Sequence, residues 1–253
     1  MTETVPSPEL LGALWCLQAR AIETDWFSDP YAARWYAELL GDHHYTVPAM
    51  GPEFNTALLS RVISFDYALA GALASRPAYT PILNLGCGFC TRMQRTNQRT
   101  SWWYQLDLPE VIRLRRAVHR PWPLERHMEI DLAQPHLFYE VAEPMHEQPV
   151  IVAEGFLSIL ERNAAERLLW QLRNRFGHAT IIGTAMRSQQ AELANIFFLK
   201  YKIRQHWSLE NEDELERGFG LKLQRTWSIA QLANRFGGNL SDPEAGFMFQ
   251  ATL

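Results

Sequence analysis

From residue 82 onward, short apolar runs alternate with amphipathic helical patterns, and this alternation constrains the chain more than any other feature. Runs at 82–85, 102–106, 128–130, 150–153 and 180–184 read as strands, with helical periodicity at 91–97, 109–119 and 162–176 between them. Phe176-Gly177 closes the last of these helices, because glycine accepts the left-handed conformation of a helix end. Strands joined by helices run parallel, since only a long crossover returns the chain to the same sheet edge. Residues 189–207 carry a long, aromatic-rich helical pattern. Residues 221–229 predict a strand entering a helix near 230–236, and 246–253 predict a closing strand. The expected fold is α/β: Rossmann-like and doubly wound, with a mostly parallel seven-stranded sheet.

The first 76 residues have a different texture. A helical pattern covers 10–24. Asp29-Pro30 opens a second helix through Tyr31 and Trp35 to Leu39-Leu40; the carboxylate caps free N–H groups and proline fits the first turn. A loop at 41–52 holds the adjacent pair His43-His44, too common a pairing to mark a metal site. A third helix, 53–75, places Phe54, Leu58, Val62, Phe65, Leu69 and Leu73 on one stripe. Arg76-Pro77 ends it. Two units are expected: an N-terminal helical cap, 1–76, and an α/β ligand-binding domain, 77–253.

Of the 253 residues, 47% are hydrophobic, enough for a substantial core and too many for disorder. The formal net charge of -4 provides no global basic footprint, so neither nucleic acid nor a membrane is an expected partner. The run Arg113, Arg115, Arg116, His119, Arg120 follows helical register and reads as a solvated helix face. Three cysteines do not make a disulfide scaffold. Cys87-x-x-Cys90 lacks the second ligand pair of a zinc site, so no metal is expected; its redox reading is the weaker one, because both residues belong to a glycine loop. Residues 1–11 hold acids and prolines where a signal peptide needs a basic start and an apolar run. No stretch approaches the ~18 consecutive apolar residues of a membrane span. A cytoplasmic location is expected.

The chemistry concentrates at strand ends. Ile82-Leu83-Asn84-Leu85 runs into Gly86-Cys87-Gly88 and then a helix. Glycines there allow a tight turn and close approach of a ligand, at the carboxyl end of a strand where open α/β sheets bind ligands. A dinucleotide loop wants a third glycine where Thr91 stands, which tilts the reading away from a nicotinamide cofactor. Asp107 follows Gly88 by 19 residues, at the end of the second strand. It is placed either to accept hydrogen bonds from ribose hydroxyls or to cap the helix after it. Asp131 with Leu132 suits an adenine edge and face. Glu154 ends the central strand 149–153, where a carboxylate is costly unless it meets a cation or a wet cleft. Three acids ending three successive strands face one crevice.

Three stretches resemble the class I S-adenosylmethionine-dependent methyltransferases of the leucine carboxyl methyltransferase family, which includes polyketide O-methyltransferases. They are Asn84-Leu85-Gly86-Cys87-Gly88-x-x-Thr91-Arg92, Trp103-Tyr104-Gln105-Leu106-Asp107-Leu108-Pro109-Glu110-Val111-Ile112 and Ala153-Glu154-Gly155. Upstream, Phe27-x-Asp29-Pro30-Tyr31 and the Arg61–Asp66 element are similar to its N-terminal signatures. The resemblance implies S-adenosylmethionine as cofactor. Arg61, together with Arg20, would meet the methionyl carboxylate, and Gly86 and Gly88 would form the floor. Asp107 would hold the ribose, Asp131 and Leu132 the adenine, and Glu154 would lie near the methionyl amino end. Cys90 stands where the family has aspartate, and Ile159 where it commonly has tyrosine. The implied activity is O-methylation of a small-molecule carboxylate or hydroxyl in natural-product biosynthesis. In-line transfer from a sulfonium needs alignment above all. A carboxylate acceptor requires no base, whereas a phenol would, with Tyr201 and His206 as candidates by location. The aromatic segment from Phe197 to Trp207 would cover the acceptor. A nicotinamide-dependent oxidoreductase and a non-catalytic cofactor-binding protein are the competing readings.

Overall fold

The computed structural model describes residues 6–22, 24–43, 45–134, 148–240 and 246–253. His44, and residues 1–5 of the segment weighed above as a leader, lie outside them. The strands are β1 (Ile82–Leu85), β2 (Trp103–Asp107), β3 (Glu125–Glu129), β4 (Val150–Ala153), β5 (Thr180–Ala185), β6 (Lys222–Ser228) and β7 (Phe247–Thr252). They form one seven-stranded sheet in the order β3-β2-β1-β4-β5-β7-β6. β1 to β5 are mutually parallel, and β7 runs antiparallel to both its neighbours. The sheet class read from the alternation is therefore the one observed. The chain winds outward from β1 through β2 to β3, then crosses back to β4 on the other side of β1. That reversal leaves a crevice at the carboxyl ends of β1 and β4, where ligands bind in open sheets of this kind.

Helices cover both faces. α6 (Arg162–Phe176) buries Leu168, Leu169 and Leu172 against Leu83, Ile151 and Ile181. On the opposite face α3 (Pro52–Leu73) sets Phe65, Ala68 and Leu69 on Ile82, Val150, Val152 and Ile182, with Leu232 of α9 (Ile229–Arg235) beside them. By length and composition α3 could cross a membrane; its apolar stripe instead forms a layer of this core. α1 (Pro8–Ala21) and α2 (Pro30–His43) pack together over Phe89 and over Val111 and Val118 of α5 (Pro109–Val118). Asp29 caps α2 by accepting the Ala32 N–H at 3.0 Å, as Asp-Pro predicts.

Three local expectations fail for physical reasons. β3 begins at Glu125 rather than 128, because Glu125 and His127 alternate inward onto a polar partner. That partner is Arg115, fully buried, with His119 7% exposed, so the basic run is not one solvated face: only Arg113, Arg116 and Arg120 point outward. The helical pattern at 189–207 stops early. α7 (Ser188–Phe198) gives way to a 3-10 turn, Leu199–Tyr201, and then to left-handed Lys202 with φ 58°. α8 (Asp213–Phe219) had no clear signature, since its buried side is only Leu215 and Phe219 in an acidic stretch.

A candidate ligand site at the carboxyl ends of the parallel strands

The glycine turn leaves β1 with Gly86 at φ 59° and Gly88 at φ 49°, both left-handed. A Cβ on Gly86 would lie 2.4 Å from Cδ2 of Phe156, so glycine here serves close packing as well as the turn. Gly88 faces Ala13 of α1. Gly86→Ala is expected to cost about 2 kcal/mol, from left-handed strain plus displacement of the Phe156 ring. A denaturant midpoint unchanged from wild type would contradict that packing.

Asp107 sits at the end of β2. Its Oδ2 accepts the Gly88 N–H at 2.6 Å and its Oδ1 accepts the Leu108 N–H at 2.8 Å. Leu108 is the N-cap position of α5, so the carboxylate meets both the glycine turn and the helix entrance. Burial pushes the Asp107 carboxyl up to about 6, against the opposing pull of those two N–H groups and of Arg115. A carboxylate offers about four acceptor positions, and the two in use leave two for outside donors.

Glu154 follows β4 immediately. Its Oε2 accepts from Arg92 Nη2 at 2.5 Å and its Oε1 from Arg61 Nε at 3.2 Å. Burial alone would raise its carboxyl, but Arg92 and Arg61 overcome this and bring it down to about 2. Gly155, at φ 62°, leaves room for the Arg61 guanidinium, whose Nη1 would lie 2.9 Å from a Cβ there. Arg92 also donates to Asp66 Oδ1 at 2.6 Å, and Arg95 to Asp66 Oδ2 at 2.7 Å and Asp29 Oδ2 at 3.2 Å. Thr91 Oγ1 donates to Asp29 as well. Arg20 is 4% exposed and donates to Cys16 O, Phe89 O and Thr91 Oγ1, with Asp29 no nearer than 4.0 Å. Among the described residues, four guanidinium groups thus share three carboxylates, which leaves one positive charge in a largely buried setting where an anion would be favoured.

The contacts above form two groups at the strand ends: Arg20, Arg61 and Glu154 belong to the arginine cluster, and Gly88 bonds Asp107 in the turn that Gly86 begins. Asp131 lies two residues beyond β3 and accepts from its own turn, the Ala133 N–H at 2.9 Å and Gln134 Nε2 at 3.3 Å. Leu132 is buried in the main core beside Leu106 and Ile130. Tyr201 packs edge-on against Trp15 with ring centroids 4.7 Å apart. His206 pairs with Glu161 at 2.9 Å at the exposed rim. Sequence reasoning gave Asp29 only the role of a helix cap, and none to Asp66, Arg92 or Arg95. The first three lie inside the motifs named above, so their signal was present; Arg95, at the end of the short helix α4 (Arg92–Arg95), had none. Cys87 and Cys90 are free thiols, and burial pushes the Cys87 thiol well above its usual range, which makes it a poor nucleophile.

A second polar cluster lies away from the crevice. His119, Glu125 and His127 bring their ligand atoms within 4.8 Å of one another, a spacing compatible with a metal ion. Two N–H donors already face the imidazole nitrogens: Gln94 Nε2 stands 3.0 Å from His119 Nε2, and Arg115 Nε 3.2 Å from His127 Nε2. A dication would sit against a buried guanidinium. The donor set fits a proton-sharing network around Glu125 better than a metal centre.

No protein-family model and no curated protein matches the chain. Solved structures do. A DUF574 family protein from Streptomyces avermitilis superimposes with TM-score 0.62 at 12% identity, over 95% of this chain and 96% of that one. Magnesium protoporphyrin IX methyltransferase of Synechocystis PCC 6803, solved with bound SAM, gives 0.53 at 13% identity over 99% of each chain. The pyocyanin biosynthetic protein PhzM gives 0.50 at 13% identity, over 85% of this chain and 61% of that one. At such identities the likeness is one of architecture, and the chain has the mostly parallel, seven-stranded Rossmann-like fold of the methyltransferases.

Proposed function

We propose that this chain is an S-adenosylmethionine-dependent methyltransferase acting on an oxygen of a small molecule, a carboxylate or hydroxyl of a natural product. The observation that carries the reading is the buried Asp107 carboxylate beside the glycine turn, with two acceptor positions left over. The cluster of four arginines and three acids at the ends of β1 and β4 supports it from the other side of the crevice. The methyltransferase architecture of the structural neighbours, one of them solved with this cofactor, supports it independently.

The residues fit each part of that nucleoside. Asp107 would accept from both ribose hydroxyls. Arg20 and Arg61 would meet the carboxylate with the surplus positive charge. Glu154, held ionised by Arg61 and Arg92, would accept from the ammonium. Asp131 and Leu132 would border the adenine. When bound, the sulfonium supplies an already activated methyl group. The chain's own work is then alignment and water exclusion. α1 and Phe156 close over the glycines, and Trp15, Met50, Phe198 and Tyr201 form an apolar wall for the acceptor. An ionised carboxylate acceptor needs no base, which agrees with a crevice whose acids are all committed to cations or N–H groups.

Calorimetric titration with S-adenosylmethionine and S-adenosylhomocysteine tests the cofactor, with NADH as the control. Saturable binding of the sulfur nucleosides alone is expected. Binding of NADH in their place would favour the oxidoreductase. Binding with no transfer of labelled methyl to any acceptor in an extract would leave a non-catalytic protein.

A further inference from the structure

The outer face of α7 and the turn after it holds a cluster of apolar residues that the crevice does not use. Among the described residues, eight large hydrophobic side chains are exposed, and four fall within seven positions: Leu193 59%, Ile196 72%, Phe197 52% and Leu199 77%. Leu193, Ile196 and Phe197 share one helical face. Lys200, Lys202 and Arg204 follow, all exposed and without an ion-pair partner among the described residues. Two of the chain's three lysines are in this short stretch, which contains no acid between Glu192 and Glu210. The margin carries Glu192 and, across the Phe54–Phe197 ring contact, Glu53.

This projection is built into the structure. Phe198 turns inward onto Trp15 and Phe54, and Tyr201 onto Trp15, anchoring the segment from below. Asn195 clamps the returning segment: its Nδ2 donates to Gln205 O at 3.0 Å and its Oδ1 accepts the Gln205 N–H at 2.6 Å. His206 N donates to Ser158 O at 2.7 Å. The exposed apolar residues are therefore held outward by a fixed loop, with the cations at its tip.

We infer that this tip is a docking surface for an anionic phospholipid bilayer. Apolar side chains flanked by lysine and arginine match the boundary between acyl chains and anionic headgroups, where the basic stems lie along apolar surface and their charged ends reach phosphate. A second copy of the chain fits poorly, since a two-fold contact through this patch would set the two groups of three cations against each other. The chain's overall negative charge argued against a membrane partner; a bulk property does not register three local cations.

The test is co-sedimentation of the full chain with vesicles of phosphatidylcholine alone and of phosphatidylcholine with phosphatidylglycerol. Retention on the anionic vesicles, falling with added salt, is expected. Neutralising Lys200 and Lys202 as glutamines should weaken it about fivefold for each cation. Ile196→Asp with Leu199→Asp should weaken it at least tenfold while moving the thermal midpoint little, because these side chains are 72% and 77% exposed. Equal retention on both vesicle types, or no effect of either variant, overturns the inference. So does a wild type that ignores vesicles but sediments as a dimer dissolved by Leu199→Asp. The experiment needs no methyl donor, so its failure leaves the cofactor reading untouched.

Discussion

Replacing Glu125 with alanine is expected to lower the unfolding free energy by about 3–5 kcal/mol and the thermal midpoint by roughly 10 °C. Glu125 is 1% exposed and lies at the centre of the second polar cluster. Its oxygens lie 2.6 Å from His119 Nε2 and 3.0 Å from His127 Nε2, and they accept from Arg115 Nη2 at 3.2 Å and Gln105 Nε2 at 3.2 Å. Burial alone would raise its carboxyl, but the two imidazoles and Arg115 hold it far below the usual range. Alanine would leave the Arg115 guanidinium buried without the one carboxylate it bonds among the described residues, and that uncompensated charge is the source of the loss. The double variant Arg115→Met with Glu125→Gln removes both charges together, so it should lose less than Glu125→Ala does. A double variant as unstable as the single one would show that packing, not charge, dominates.

The same cluster gives a signed pH dependence. Glu125 has a depressed folded value, so its stabilisation is present above the unfolded carboxyl range and fades as pH falls below it. His127 is also lowered, first by burial, so it is held neutral in the fold while the unfolded imidazole takes a proton below about 6.5. Both act in one direction: stability declines as pH falls from neutrality into the acid range. Equilibrium denaturation at a series of pH values should show that decline in Asp107→Asn, which lacks the opposite contribution of the raised Asp107 carboxyl, with the part below about 4.3 missing when Glu125→Gln is added.

This cluster also marks where the sequence was hard to read. Arg115, His119, Glu125 and His127 are residues that ordinarily lie in water, and a helix face carrying Arg113, Arg115 and Arg116 looks solvated until the strand facing it is known. The compensation is non-local: Glu125 meets Arg115 only after β3 has paired with β2. β1, β4 and β5 were legible because each is a fully buried, mostly apolar run, as in Ile82–Leu85 and Val150–Ala153, whereas β3 is polar and alternating. Helix ends were legible where chemistry marks them, at Asp29-Pro30 and at Gly177. α7 was read too long because the 3-10 turn and extended segment that follow keep a helix-like spacing of aromatics. In the crevice, Asp107 and Glu154 were legible because a carboxylate ending a buried strand is costly and so stands out. The arginine partners Arg92 and Arg95 were not, since a short, highly charged helix after a glycine turn looks like surface.

Asp107→Asn is expected to weaken S-adenosylmethionine binding about a hundredfold or more, because two charge-assisted hydrogen bonds would be lost together. The fold should survive. The ionised carboxylate is itself unfavourable in its buried place: a rise from 3.8 to about 6 corresponds to about 3 kcal/mol at most of stability forgone at neutral pH. Asparagine relieves that cost, but it accepts only one of the Gly88 and Leu108 N–H bonds and turns an amide donor toward the other. These opposing effects are of similar size, so the thermal midpoint should move by only a few degrees. The sign of the pH effect follows from the raised value. Relative to an unfolded carboxyl, the folded Asp107 favours its proton, so its contribution to stability is fully present below the unfolded value and is lost as pH rises through about 6. Ligand binding runs the other way, because ribose hydroxyls need the ionised form. The apparent dissociation constant of the wild type should be flat above pH 7 and rise toward tenfold per pH unit below about 6, while that of Asp107→Asn stays flat. Calorimetry in buffers of different ionisation enthalpy would detect the proton released on binding near pH 6. A wild type that binds equally well at pH 5 and pH 7.5 would remove Asp107 from the ribose, and a ligand held only by the arginine cluster would then be an anion of another kind.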